Sequence, residues 1–101
     1  MEIDFSQALT AFDGTPLRQP GPDGGEPIEI TLRLVAIEAL CRPSDERNLT
    51  GTEKFARWQL AQRIHNDDVV DLAAEDIAKL KDRIGQLFPP LVVGSSFGLL
   101  D

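Results

Sequence analysis

Between Leu49 and Leu100 three helical segments follow one another with almost no linker, and this run confines the chain to compact helical folds. It opens at Thr50-Gly51-Thr52-Glu53, where a threonine followed three residues later by a glutamate is the pattern that satisfies the free amides of a helix start. The first of these segments should run from Gly51 or Thr52 to Ile64. On its wheel Ala56, Leu60, Ala61 and Ile64 share one face, while Phe55 and Trp58 lie opposite with Gln62 and His65. Two apolar faces predict two neighbours, with the helix sandwiched between an amino-terminal hairpin and the other helices. The competing reading presents Phe55, Trp58, Gln62 and His65 to another protein, since aromatic residues are favoured interface anchors.

The next segment, Ala74 to Phe88, has Ile77, Leu80, Ile84, Leu87 and Phe88 on one side. Glu75, Asp76, Lys79, Asp82 and Arg83 are expected in water, with Glu75 and Lys79, like Glu53 and Arg57, spaced for ion pairs one turn apart. Phe88-Pro89-Pro90-Leu91 stops this helix and starts another, because proline lacks the amide that an interior turn needs but loses nothing in a first turn. Pro90 to Leu100 is apolar or small on every side and is expected to be buried. Its Gly94 and Gly98 would let another backbone approach closely, within the domain or at a seam between two copies.

The first half of the chain is punctuated differently. Leu9 to Phe12 and Pro16 to Arg18 flank Asp13-Gly14, a hairpin signal. Residues 19–27 hold three prolines and three glycines and predict an irregular, flexible loop. No GK[ST] ending follows them, so a phosphate loop is not indicated. Ile28-Glu29-Ile30 alternates as a third short strand. Thr31 then fits the cap of a helix from Leu32 to Cys41, ended by Arg42-Pro43, although alternation through Leu32 and Leu34 would also allow a longer strand. The fold expected is therefore a mainly α, four-helix single domain over residues 1–101. A small amino-terminal β-hairpin or three-strand element would occupy residues 1–30 and the helices residues 31–101.

At 101 residues there is material for one core. The net charge of −7, from 17 acidic against 10 basic residues, argues against tracking of nucleic-acid phosphates, which needs clustered Lys and Arg. No apolar run approaches the length of a membrane span, and the acidic start is unlike a secretory signal, so a cytoplasmic location is expected. Cys41 is the single cysteine and reads as a buried, unreactive thiol. His65 with Asp67, Asp68 and Asp71 lacks the ligand spacing of a zinc or calcium site, and Asp71 fits better as a favourable charge at the start of the third helix. Ser95 and Ser96 read as hydroxyls bonded back to their own helix. Neither a catalytic residue nor a cofactor or metal site is expected.

Three stretches together resemble small accessory proteins of about this length encoded by tailed bacteriophages and prophages. They are Leu49-Thr50-Gly51-Thr52-Glu53-Lys54 leading through Arg57-Trp58 to Leu60-Ala61, the acidic joint before Asp76-Ile77-Ala78-Lys79-Leu80-Lys81, and Pro90-Leu91-Val92-Val93-Gly94. The match covers about half the chain and brings no catalytic motif. Departures from it are Ala73, where a Ser or Thr cap would be expected, and Gly98, where a bulkier residue would pack better. The resemblance implies a non-catalytic protein of the bacterial host cell, or of the virion itself, that acts through protein contacts in particle assembly. Its partner would be a phage structural protein or a host protein. The alternative from another class is an acidic regulator or inhibitor of a host enzyme or nucleic-acid-binding protein.

Overall fold

The first helix owes its start to caps from two parts of the chain. The computed structural model describes residues 1–42 and 49–100, so Pro43 lies outside the described residues. Helix α1 (Leu32–Cys41) begins where the sequence predicts, at Thr31, whose side-chain oxygen accepts from the Leu34 amide at 3.2 Å. The amides of Leu32 and Arg33 donate to the carbonyls of Gln7 and Phe5, each at 2.9 Å. Three helix-start amides that have no partner inside the helix are thereby satisfied, two of them by the amino-terminal segment.

That segment is held by a ladder the sequence reading missed. Strand β1 (Glu2–Asp4) pairs antiparallel with β4 (Val69–Asp71), setting Ile3 opposite Val70. Both are buried, yet acids flank them so closely that Asn66 to Asp71 reads as a solvated linker. Asp71 does not cap the third helix. Its carboxylate accepts from the Met1 amine at 2.8 Å, and this bond holds its pKa below the usual carboxylate range.

The Asp13-Gly14 hairpin forms with a three-residue loop. The Ala11 amide donates to the Thr15 carbonyl at 2.8 Å and the Gly14 amide to the Ala11 carbonyl at 3.0 Å, with Gly14 at φ +85°. Asp13 accepts from the Thr15 hydroxyl at 2.7 Å and from its amide at 3.1 Å, which lowers the carboxyl's pKa. Pro16 has no ladder donor, and these arms are joined by a bridge between Thr10 and Pro16 and by the Leu17 amide donating to the Leu9 carbonyl at 2.9 Å. A second ribbon follows, β2 (Arg18–Gln19) antiparallel to β3 (Ile28–Glu29). The proline- and glycine-rich segment, expected to lack regular structure, closes this ribbon through a 3-10 turn at Pro22–Gly24. Gly21 is buried there, and a Cβ on it would stand 2.2 Å from the Glu26 carbonyl oxygen. Gly21→Ala is expected to cost about 1–3 kcal/mol, as overpacking against rigid backbone does. The loss should appear in a denaturant melt together with shifted amide resonances of β2 and β3.

Helices α2 (Gly51–Asn66), α3 (Ala74–Leu87) and α4 (Pro90–Leu100) complete the predicted four, and α1 packs against all three. Thr50 caps α2, its side chain accepting from the Glu53 amide at 3.1 Å. The Glu53 carboxylate turns outward, 3.7 Å from Arg57 and 3.0 Å from Lys79, so Lys79 bridges two helices where its spacing suggested Glu75. Helix α3 starts at Ala73 without a side-chain cap.

Three burial expectations need correction. Arg83 does not face water: it is 1% exposed, and its Nε donates to the Ala39 carbonyl at 3.0 Å. The last helix is not covered on every side, for Leu100 and Ser96 are buried while Pro90, Leu91, Gly94 and Gly98 are exposed. Its serines do not both bond back to their own helix, since Ser95 accepts from the Thr10 amide at 3.0 Å and the buried Ser96 hydroxyl has no hydrogen-bond partner among the described residues. Cys41 is exposed rather than buried, because α1 ends with it at the surface. Among the described residues no helix is long and apolar enough to cross a membrane.

Candidate protein-binding face on the second helix

Helix α2 turns Leu60, Ala61 and Ile64 inward against α1, with Arg57 buried beside them and Ala56 at the margin. Its carboxyl end is fixed by a side chain from α1. Arg33 Nε donates to the Ile64 carbonyl at 3.0 Å, and its terminal nitrogen bonds the Asp67 carbonyl at 3.2 Å and the Asp68 carboxylate. A cation at the end of a helix is also favoured by the dipole of the peptide units. Arg63 adds a bond to the Asp71 carbonyl at 2.7 Å, linking α2 to β4. The orientation of α2 about its axis is therefore set by four hydrogen bonds from arginines as well as by apolar packing.

That orientation leaves the other apolar face in solvent. Phe55 is 56% exposed and Trp58 52%. Their rings stack on each other, with centroids 5.8 Å apart and planes inclined by 13°. The expectation that the hairpin would cover this face is not met. The first strand pairs with β4 and the first hairpin is bonded to α4 through the Thr10–Ser95 contact, while Phe55 and Trp58 stay exposed.

Trp58, Gln62 and His65 then form one wall of a groove of about 230 Å³, with Ala61 below and Ile37 and Cys41 of α1 opposite. Spacings of three and four residues place these side chains in line along the helix. Phe55 lies one turn earlier, stacked on Trp58, so all four candidate residues occupy one strip. Ile37 and Cys41 were not among the candidates. Nothing in the sequence marks Ile37 for this strip, and the single cysteine reads there as a buried thiol. A second depression of about 280 Å³ shares Trp58 and Cys41 and adds Leu40, Arg42, Leu49, Lys54 and Arg57.

The groove is lined mainly by apolar side chains, with Gln62 and His65 as its polar ones. Cys41 and His65 both line it, but no hydrogen bond joins them among the described residues. The acids near His65 are dispersed, Asp68 to Arg33 and Asp71 to the Met1 amine, and among the described residues no three metal-ligating side chains gather. No protein-family model, curated protein or solved structure matches the chain.

Proposed function

We propose that this chain is a non-catalytic accessory protein that works by docking another protein on the Phe55–Trp58 strip of α2. The observation that supports it is the stacked ring pair itself, half exposed on a helix whose rotation is fixed from beneath. Two preoriented rings present a large apolar contact at small entropic cost, as interface anchors do. The groove between α1 and α2 beside them receives an apolar side chain of the partner, and Gln62 and His65 supply polar contacts at its rim. The resemblance to phage and prophage accessory proteins supports a place in particle assembly, with a phage structural protein as the partner.

Trp58→Ser tests this reading. The complex is expected to weaken by about 30-fold or more, the effect of losing an anchor worth about 2 kcal/mol or above. The stability of the isolated chain should change by no more than about 1 kcal/mol, as for exposed positions generally. The measurement is capture of partners from phage-producing cells by tagged wild-type and Trp58→Ser chains, at low and high salt, paired with thermal melts. A head or tail protein retained at high salt and lost with Trp58→Ser supports assembly. A host enzyme or DNA-binding protein that dissociates at high salt, and is indifferent to Trp58, would move the function to charge-steered inhibition through the acidic surface.

A further inference from the structure

The groove beside Trp58 is the middle of a longer channel. It shares Ile37 with a shallow recess of about 310 Å³ at Thr31, Leu34 and Glu38, and it shares Cys41 and Trp58 with the depression of about 280 Å³ at Lys54. Thr31, Leu34, Ile37 and Cys41 recur at steps of three and four residues, so one face of α1 walls the channel from cap to last residue. At 1.5 Å per residue that wall is about 15 Å long, the reach of roughly five residues of extended chain or about ten of helix. A compact small molecule would fill one recess. A length of polypeptide, with side chains spaced along it, fits all three.

Charge gives the channel a direction. The chain carries −7, yet of the seven described residues lining the depression at the end of α1, three are the cations Arg42, Lys54 and Arg57 and none is an acid. The acids bonded to this group are themselves neutralised, Glu38 by Arg42 and Glu53 by both Arg57 and Lys79. Lys54 is exposed and has no ion pair among the described residues. It stands one turn before Trp58 on the same helix, so an ammonium and an apolar ring are presented side by side. The opposite end of the channel offers no comparable charge, because Arg33 is engaged by the Ile64 and Asp67 carbonyls and the Asp68 carboxylate.

We propose that the segment docked on the Trp58 strip is acidic as well as apolar: an apolar side chain enters the groove between Ile37 and Trp58, and an Asp or Glu beside it reaches Lys54 and Arg42. This rests on the docking function proposed above and adds the chemistry of what docks. A lysine or arginine at that end would meet like charge, which costs affinity and excludes basic segments. The acidic surface as a whole does not reverse the preference, since charges farther away than about 8 Å are largely screened at physiological salt while those in contact are not.

A ribosome-displayed library of random peptides of about 12 residues, long enough to span the channel even as a helix, is the probe. It is panned in parallel on the full chain, on Lys54→Glu and on Trp58→Ser, each with a thermal melt; Lys54 is exposed, so Lys54→Glu should melt like the wild type. The wild type is expected to enrich peptides in which Leu, Phe or Trp is accompanied by Asp or Glu. By fluorescence anisotropy such a peptide should bind about 5-fold or more weaker to Lys54→Glu and about 30-fold weaker to Trp58→Ser. Replacing the acid of the peptide by lysine should cost the wild type as much, and Lys54→Glu should restore that binding, because the pair is only reversed. Peptides that need Trp58 but carry no acid, or that bind Lys54→Glu as well as the wild type, overturn this inference and leave the docking face standing. Peptides indifferent to Trp58→Ser overturn the docking face itself, and a wild type that enriches nothing overturns both.

Discussion

Replacing Arg83 with alanine is expected to destabilise the protein by about 3–4 kcal/mol, and to lower Tm by about 12–32 °C at the 4–8 °C per kcal/mol usual for a domain of this size. The residue lies on the third helix but serves the first. Its Nε donates to the Ala39 carbonyl at 3.0 Å, in the last turn of α1, and a terminal nitrogen approaches the Arg42 carbonyl at 3.4 Å. The last turn of α1 contains no basic residue of its own, so Arg83 brings in from outside the positive charge that a helix end favours. Removing it leaves a buried carbonyl without its donor, a loss of about 1–3 kcal/mol, and withdraws the apolar stem that fills the space between the helices. Arg83→Met separates the two contributions, because it keeps the stem and deletes the donor. It should cost about 2 kcal/mol, with the remainder appearing only in alanine. Chemical denaturation followed by far-ultraviolet circular dichroism measures both. Stability of Arg83→Ala within 1 kcal/mol of the wild type would show that the guanidinium contributes little net stability.

Arg83 also shows where sequence reading stops. Helical period places a residue on a face of its own helix, and position 83 adjoins Lys79 and Asp82 on the polar side. Whether another helix end needs a donor at that height is a tertiary fact with no local trace. The elements that were legible are those whose signals are local. Thr31 and Thr50 announce α1 and α2 through side chains that bond amides three residues on, and Pro90 announces α4 by needing no amide. Strands β1 and β4 were illegible because each is three residues long with a single buried side chain, too short for alternation to register. The candidate face was half legible. Spacing alone put Phe55, Trp58, Gln62 and His65 on one strip, whereas their exposure followed from where the amino-terminal ribbons attach, which only long-range pairing decides. Ile37 and Cys41 join the groove through packing of α1 on α2, again invisible along the chain.

The second large effect lies at Phe5, in the segment whose role the sequence concealed. Phe5→Ala is expected to cost about 3–5 kcal/mol, the range for removing a phenylalanine from a packed core. Its side chain is fully buried, while its main chain works in two directions: the amide donates to the Asp68 carbonyl at 2.7 Å, and the carbonyl accepts from the Arg33 amide at 2.9 Å. The ring thus anchors the strand that joins β4 to the start of α1. A cavity there loosens both attachments, so the loss should spread along a defined route. Amide exchange in Phe5→Ala should accelerate at Leu32 and Arg33, whose donors face Gln7 and Phe5, and along Ile3 and Val70, while α3 opens only with global unfolding. Phe5→Leu, which keeps most of the volume, should recover the larger part of the stability. Uniform acceleration over all four helices would instead mean that the amino-terminal ladder and the helices unfold as one unit, and that capping of α1 by the Gln7 and Phe5 carbonyls has no separate energetic identity. Slow exchange retained at Leu32 and Arg33 would show that Thr31 suffices to hold the helix start.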